Sequence, residues 1–144
     1  MNASRSVLVA VIDGLGGGIG VQLVSKLREA LSANAGVQIL ALGTNAVATE
    51  RMIKAGANAG ASGENAIVQS VAKATFILGP IGIIIGNSMM GEISQNISNA
   101  VLAASGERIV LPIINDHLTF AGIDGLPLAR MIDAAVDIVK KRLE

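Results

Sequence analysis

Runs of apolar residues alternate along the chain with segments of helical periodicity. Four runs predict β-strands, over residues 7–12, 37–42, 75–78 and 108–113, and residues 118–123 are a candidate for a fifth. The runs are almost continuously apolar rather than alternating, which is typical of parallel strands that are covered on both faces. The pattern therefore predicts a three-layer, Rossmann-like α/β sandwich, with a mostly parallel sheet of four to five strands and helices on both faces.

The segments between the strands carry apolar residues at helical spacing. A first helix is predicted over residues 21–31, and a last helix follows Pro127 and runs to Leu143. Further helices are predicted over residues 46–54, 64–72 and 88–104, with a stretch of small residues over 55–63 between the first two of these. No linker or shift in composition interrupts the series, so a single domain over residues 1–144 is predicted.

Five glycines follow the first predicted strand within seven residues. The strand ends at Asp13, and the glycines before the first helix are Gly14, Gly16, Gly17, Gly18 and Gly20. A backbone without Cβ atoms lets a ligand approach closely, and the amides at a helix N-terminus favour anions. The loop therefore predicts a binding site for a phosphate or another anion. A tight turn that serves packing alone is the alternative.

Two further connections contribute candidate ligand contacts. Ligands of open α/β sheets bind outside the carboxyl ends of the strands, where the strand order reverses. If the strands at 7–12 and 75–78 are central neighbours, the connection after the latter strand flanks the glycine loop. The candidates there are Gly79, Pro80, Gly82, Asn87 and Ser88, and those after the second strand are Thr44 and Asn45. Helix capping is the alternative role of the four polar residues, and a rigid bend is the alternative for the glycines and the proline.

Asp13, Asp116 and His117 are the candidates for acid–base catalysis. Asp116 and His117 form a neighbouring pair suited to proton transfer near neutral pH. Asp13 is equally suited to capping a turn, to accepting a ligand hydroxyl, or to meeting Mg²⁺ carried by a nucleotide. With one histidine and no cysteine, a zinc site of several histidines or cysteines is impossible, and no metal site is predicted.

The composition narrows the classes of partner. A hydrophobic fraction of 51% with 15% charged residues favours a homo-oligomer that buries apolar surface between subunits. Eleven basic and eleven acidic residues cancel, so neither a nucleic acid nor an anionic membrane is expected as a partner. The apolar stretches are too short to span a bilayer, and the lack of cysteine fits a cytoplasmic protein.

Two resemblances to known families refine this interpretation. The loop Gly14, Gly18, Ile19, Gly20 resembles the phosphate-binding turn of short-chain dehydrogenases, but the chain has no tyrosine, which the chemistry of that family requires. The whole chain resembles a bacterial family known as domain of unknown function 3842. The segments that carry the resemblance are Ile12-Asp13-Gly14 through Gly20, Ala41-Leu42-Gly43-Thr44-Asn45-Ala46, Ala55-Gly56-Ala57-Asn58, Gly63-Glu64-Asn65-Ala66, Gly79-Pro80-Ile81-Gly82 and Asn87-Ser88-Met89.

Three functions are compatible with the sequence. The first is a binding module for a nucleotide or another phosphorylated small molecule, which requires no residue that the chain lacks. The second is a small enzyme acting on such a ligand, with Asp13 or His117 as the acid or base. The third is an oligomeric structural protein without a ligand. The binding module is the leading hypothesis.

Overall fold

The computed structural model describes residues 6–113, 118–123 and 125–144. The strands are β1 (Val7–Asp13), β2 (Val37–Gly43), β3 (Ala59–Ser62), β4 (Phe76–Pro80) and β5 (Glu107–Leu111). The helices are α1 (Gly18–Leu31), α2 (Ala46–Lys54), α3 (Glu64–Val71), α4 (Gln95–Ala103) and α5 (Leu128–Leu143), and a short 3₁₀ helix covers Ile81–Ile84.

The five strands form one parallel sheet in the order β3-β2-β1-β4-β5. The chain builds outward from β1 through β2 to β3, returns to the other side of β1 for β4, and ends with β5. The strand order therefore reverses between β1 and β4, the two strands expected to be central neighbours. In sheets of this kind the crevice for ligands opens at the carboxyl end of these strands.

The core lies in two layers, one on each face of the sheet. Val9 and Val11 of β1 belong to the cluster that α1 and α5 cover, whereas Ala10 and Ile12 belong to the cluster that α3 and α4 cover. Both faces of β1 are thus buried, which is why four consecutive apolar residues suit this strand. The predicted three-layer α/β sandwich is confirmed.

One strand lies where no strand was predicted. Residues 59–62, within the stretch of small residues, form the edge strand β3, which pairs with β2. Its sequence, Ala-Gly-Ala-Ser, carries no run of large apolar residues, and at Gly60 the side chains of α2 leave no room for one. A Cβ atom on Gly60 would come within 2.7 Å of the Ile53 side chain. Close packing, which local patterns do not report, explains the omission.

Two other predicted elements are wrong. The helix expected over residues 88–104 is helical only from Gln95, where Ser94 caps it by accepting from the Ile97 amide at 3.2 Å. Residues 86–92 form turns instead. Residues 118–123 are not a strand. The sheet has five strands because β3 adds one to the four that the sequence predicted. In the described parts of the chain, no helix has the length and apolarity to cross a membrane.

Candidate functional site

A cleft of about 810 Å³ opens at the carboxyl end of the sheet, beside β1 and β4. It lies between the connections after β1 and after β4, where the strand order reverses. Leu15 and Ile19 line it from the connection after β1, but the glycines at positions 14, 16, 17, 18 and 20 do not. The lining residues are Asp13, Leu15, Ile19, Pro80, Ile81, Gly82, Ile85, Asn87, Ser88, Met89, Met90, Ile113 and Leu118. Most of these side chains are aliphatic, so the walls are largely apolar.

The Asp13 carboxylate stabilises the glycine loop through hydrogen bonds. Its side chain is buried, one carboxylate oxygen accepts the Gly14 amide at 2.8 Å, and the other accepts the Gly20 amide at 2.7 Å. Burial raises the pKa of Asp13, although hydrogen bonds from the Gly20, Gly14 and Ile19 amides act in the opposite direction. Both oxygens already serve the loop, so the geometry favours the capping role over a general base.

Four of the five glycines divide into two groups, and the fifth, Gly14, packs against Thr44, Met89 and Glu92. Gly17 has a φ of 74° and lies against Ala48, while a Cβ atom on Gly20 would overlap the Met52 side chain. These two glycines serve the packing of α1 against α2. Gly18 has no atom within 4 Å of where a Cβ atom would lie, and Gly16 meets only Arg51, at 3.4 Å. Packing therefore does not account for glycine at positions 16 and 18.

Gly16 and Gly18 also keep their amide groups open. Within the described ranges, neither N–H group has a hydrogen-bond partner, and both residues are exposed. The exposed side chain of Arg51, on α2, donates to the Gly16 carbonyl. A cation thus lies on the glycine loop at Gly16, next to the N-terminus of α1, where a helix favours negative charge. Arg51 was not among the predicted site residues, because its place beside the loop depends on how α2 packs.

Glu92 joins three separate connections at the edge of the sheet. One of its carboxylate oxygens accepts the Leu15 amide at 2.8 Å, the Asn45 side-chain amide at 3.0 Å and the Thr44 hydroxyl. The hydroxyl of Thr44 and the amide of Leu15 contribute most to holding the pKa of Glu92 below its usual value. The carboxylate is therefore ionised at neutral pH and tied to the loops after β1 and β2.

Sequence reasoning missed Glu92 because it fell inside the predicted helix over residues 88–104. One signal was available, since Glu92 is the only acidic residue between Glu64 and Glu107. A single carboxylate in such an apolar stretch requires polar partners, and the structure supplies them.

Thr44 and Asn45 do not line the cleft. Asn45 caps α2 by accepting the Ala48 amide at 2.8 Å, and its side-chain amide also donates to the Leu15 carbonyl at 2.9 Å. Thr44 donates to Glu92. The capping alternative is confirmed for Asn45, and both side chains face Glu92.

The connection after β4 supplies the opposite wall. Pro80, Gly82, Asn87 and Ser88 line the cleft, whereas Gly79 packs within the sheet, where a Cβ atom would lie 2.5 Å from the Ile12 carbonyl oxygen. The Ser88 hydroxyl donates to the Gly82 carbonyl at 2.6 Å. Neither Asn87 nor Ser88 caps a helix. In the part of the chain that the structure describes, the exposed Asn87 amide makes no hydrogen bond from its side chain.

Unfavourable backbone angles concentrate around the cleft. Among the described residues, the non-glycine residues with positive φ are Leu15 at 51°, Asn87 at 71°, Met89 at 54° and Met90 at 56°, and all four line the cleft. This conformation costs a residue with a bulky side chain roughly 1–2 kcal/mol. Strain of this kind is characteristic of ligand clamps and switch regions.

Asp116 and His117 lie outside the described residues, so their proposed acid–base role stays a prediction. Where residues are described, no three histidine, cysteine or acidic side chains are grouped to hold a metal ion.

Comparison with known proteins assigns the chain to a family without an assigned activity. The family model for the domain of unknown function DUF3842 matches residues 8–144, essentially the whole chain. No curated protein matches the chain. The resemblance stated from the sequence is confirmed, and the chain belongs to the DUF3842 family.

Proposed function

We propose that this protein binds a nucleotide or another phosphorylated small molecule, held by the Gly14–Gly20 loop at the cleft. The observation that carries the proposal is the cleft itself, about 810 Å³ in volume and bounded by both glycine-rich connections where the strand order reverses. A cavity of that size is typical of small-molecule sites.

The outer side of the glycine loop supports an anionic group on the ligand. The open amides of Gly16 and Gly18 lie at the N-terminus of α1, a helix of 14 residues, and the Arg51 guanidinium lies on the loop at Gly16. Amides, helix dipole and guanidinium all favour a phosphate. The amides of Gly14 and Gly20 are already bonded to Asp13 and the amide of Leu15 to Glu92, so the loop amides open to a phosphate in the ligand-free protein are those at positions 16 and 18.

The apolar walls support a ligand whose remaining part is not highly charged. Ile19, Ile81, Ile85 and Ile113 supply aliphatic surface on which a base or an apolar group can pack. The free side-chain amide of Asn87 offers both a donor and an acceptor, which suits the polar edge of a base. Any Mg²⁺ would arrive with the phosphates of the ligand.

The first test is the ultraviolet spectrum of the freshly purified protein. The chain has no tryptophan and no tyrosine, so a bound nucleotide would dominate the absorbance near 260 nm. After denaturation and filtration, mass spectrometry of the filtrate identifies the released compound. We expect a stoichiometric phosphorylated molecule.

The second test locates that ligand on the loop. Gly16→Val and Gly18→Val should each reduce affinity for the released compound about tenfold or more with an unchanged circular dichroism spectrum, because a side chain there blocks the open amides. Gly125→Val is the matched control, since Gly125, like Gly18, has no described atom within 4 Å of a Cβ position and lies outside the glycine loop. Unchanged affinity in both loop variants would contradict the proposal.

The cysteine-free, strongly apolar composition supports two accompanying proposals. We infer that the protein is cytoplasmic and forms a homo-oligomer.

A further inference from the structure

Residues 87–91, which we call the methionine turn, form a compact loop between the 3₁₀ helix and α4. Two backbone hydrogen bonds close its base. The Asn87 backbone amide donates to the Ile93 carbonyl at 2.6 Å, and the Ile93 backbone amide donates to the Ser88 carbonyl at 3.2 Å. Closed at its base in this way, the loop is a compact unit whose ends lie close together.

The methionine turn is held in a conformation that its sequence does not favour. Asn87, Met89, Met90 and Gly91 all have positive φ, between 54° and 88°. Glycine and asparagine tolerate this region, but methionine does not favour it. Contacts outside the turn must therefore hold it in place, because its local conformational preference opposes the observed geometry.

The Ser88 hydroxyl supplies one such contact by donating to the Gly82 carbonyl, and Glu92, at the end of the turn, supplies several more. Its carboxylate accepts hydrogen bonds from the Leu15 amide and from the side chains of Thr44 and Asn45, which belong to two other connections. Met89 packs against the glycine loop at Gly14, beside Glu92. A Cβ atom on Gly14 would lie 2.9 Å from the Met89 sulfur and 3.0 Å from the Glu92 carboxylate. Glycine at position 14 thus lets the turn close onto the loop.

Glu92 occupies the donors that an anionic ligand would use. The Leu15 amide belongs to the glycine loop, and Thr44 and Asn45 follow the strand next to β1, yet all three bond to one carboxylate oxygen. A phosphate and a carboxylate cannot share these donors, because they compete for the same N–H and O–H groups and repel each other.

We propose that the methionine turn is a lid at the carboxyl end of the sheet. In the ligand-free protein, the Glu92 carboxylate holds the lid shut by occupying the place of the ligand's anion. A phosphorylated ligand opens the lid by displacing that carboxylate. The role of the ligand rests on the proposed function. The lid itself does not, because Glu92 holds it in the ligand-free protein.

The lid is tested without any ligand, by hydrogen–deuterium exchange with mass spectrometry on the whole chain. Glu92→Ala should speed exchange in peptides covering residues 87–93 about tenfold or more and leave peptides of β1 and β4 unchanged. Glu92→Gln keeps an oxygen acceptor and should give a smaller increase.

A pair of glycine variants provides a second measurement that leaves Glu92 intact. Gly14→Ala places a methyl group against Thr44, Met89 and Glu92, which disturbs the Thr44–Glu92 contact, so it should also speed exchange in residues 87–93. Gly18→Ala is matched to it, since neither glycine has positive φ and Gly18 has open space. It should leave exchange in the turn unchanged. If neither Glu92→Ala nor Gly14→Ala changes exchange in residues 87–93, the lid is wrong.

Calorimetric titration with ADP and with inorganic pyrophosphate separates the lid from the proposed function. Glu92→Ala should bind these probes about threefold more tightly or better, because the competing carboxylate is gone. If both probes bind the two proteins equally and exchange is unchanged, the lid is overturned while anion binding stands. If neither probe binds but exchange responds as expected, the lid is supported and the ligand class is overturned.

Discussion

Two carboxylates within the same site differ in their surroundings and in their titration. Asp13 is buried under the glycine loop, and burial raises its pKa. Glu92 is partly exposed, and its hydrogen bonds with Thr44, Leu15 and Asn45 lower its pKa. Asp13 shapes one loop internally, whereas Glu92 joins three connections of the chain. Each therefore makes a distinct prediction.

Asp13→Asn should destabilise the protein. The asparagine NH₂ group would face one of the two loop amides that Asp13 accepts, leaving a buried donor unsatisfied at a cost of about 1–3 kcal/mol. Urea unfolding followed by circular dichroism measures this cost. Asp137→Asn, on the exposed side of α5, is the control and should change stability little. Equal stabilities of the two variants would show that the hydrogen bonds accepted by Asp13 do not stabilise the glycine loop.

Glu92→Gln should make the free energy of unfolding depend less on pH in the acidic range. Because the pKa of Glu92 in the folded protein lies below its usual value of 4.5, its contribution is present above pH 4.5 and is lost as the pH falls through the folded pKa. The difference in unfolding free energy between wild type and variant should be largest at neutral pH. It should shrink in acid. Asp13, the charged neighbour that interacts with Glu92, titrates in both proteins and largely cancels in the comparison.

Denaturant unfolding of the two proteins from pH 7 down to pH 3 measures that difference. Glu50→Gln serves as the control, because Glu50 pairs with Lys54 at 3.2 Å on an exposed helix face. A difference between wild type and Glu92→Gln that stays constant with pH would show that the Glu92 hydrogen bonds do not depend on its charge.

At the scale of elements, the connection from β1 to α1 combines two functions in one short segment. Gly17 and Gly20 allow α2 to approach, while Gly16 and Gly18 are exposed and keep their amides open within the described chain. A dense glycine cluster thus arises from packing at some positions and from an open face at others. These two roles can be separated by substitution.

Gly20→Ala should destabilise the fold and Gly18→Ala should not. A methyl group at position 20 would overlap Met52 and approach Asp13, with an expected cost of about 1–3 kcal/mol from overpacking, whereas position 18 has open space. Thermal unfolding of the two variants provides the comparison. A lower midpoint for Gly18→Ala than for Gly20→Ala would contradict this division of the loop.

At the scale of the whole molecule, several large apolar side chains face outward. Among the described residues, those at least half exposed are Val47, Met90, Leu102, Ile123 and Leu126, and Met90 reaches 93%. Met90 lies on the rim of the cleft beside the exposed Leu15, Ile85 and Leu118. Contiguous apolar surface of this kind favours burial against another molecule.

The protein is expected to form a homo-oligomer. Light scattering coupled to size-exclusion chromatography should give a mass that is a multiple of 14.6 kDa. Met90→Asn tests whether the methionine turn is the subunit contact, because asparagine is polar and tolerates the positive φ at that position. The variant should shift the mass toward the monomer, and Val47→Gln on α2 is the control. A wild-type mass of 14.6 kDa would contradict the expectation.

Much of the architecture could be predicted, because it depends on local patterns. Continuous apolar residues in β1 and β2 indicated a sheet covered on both sides, and the bounds predicted for α2 match those observed. The cleft was also placed correctly, since parallel strands bring their carboxyl ends to one edge. β3 escaped prediction because it has no large apolar residue, and α2 leaves no room for a side chain at Gly60. Residues 86–92 could not be distinguished from a helix by apolar spacing alone.

The sequence by itself determined the fold class, the glycine loop and the edge of the sheet at which a site could form, because periodicity and glycine act locally. Only the tertiary structure decided which groups are available there. Glu92 bonds to Leu15, 77 positions earlier in the chain, and Asp13 uses the amides of Gly14 and Gly20. Such pairings follow from strand order and from backbone angles at individual turns, which no pattern of hydrophobic and polar positions encodes.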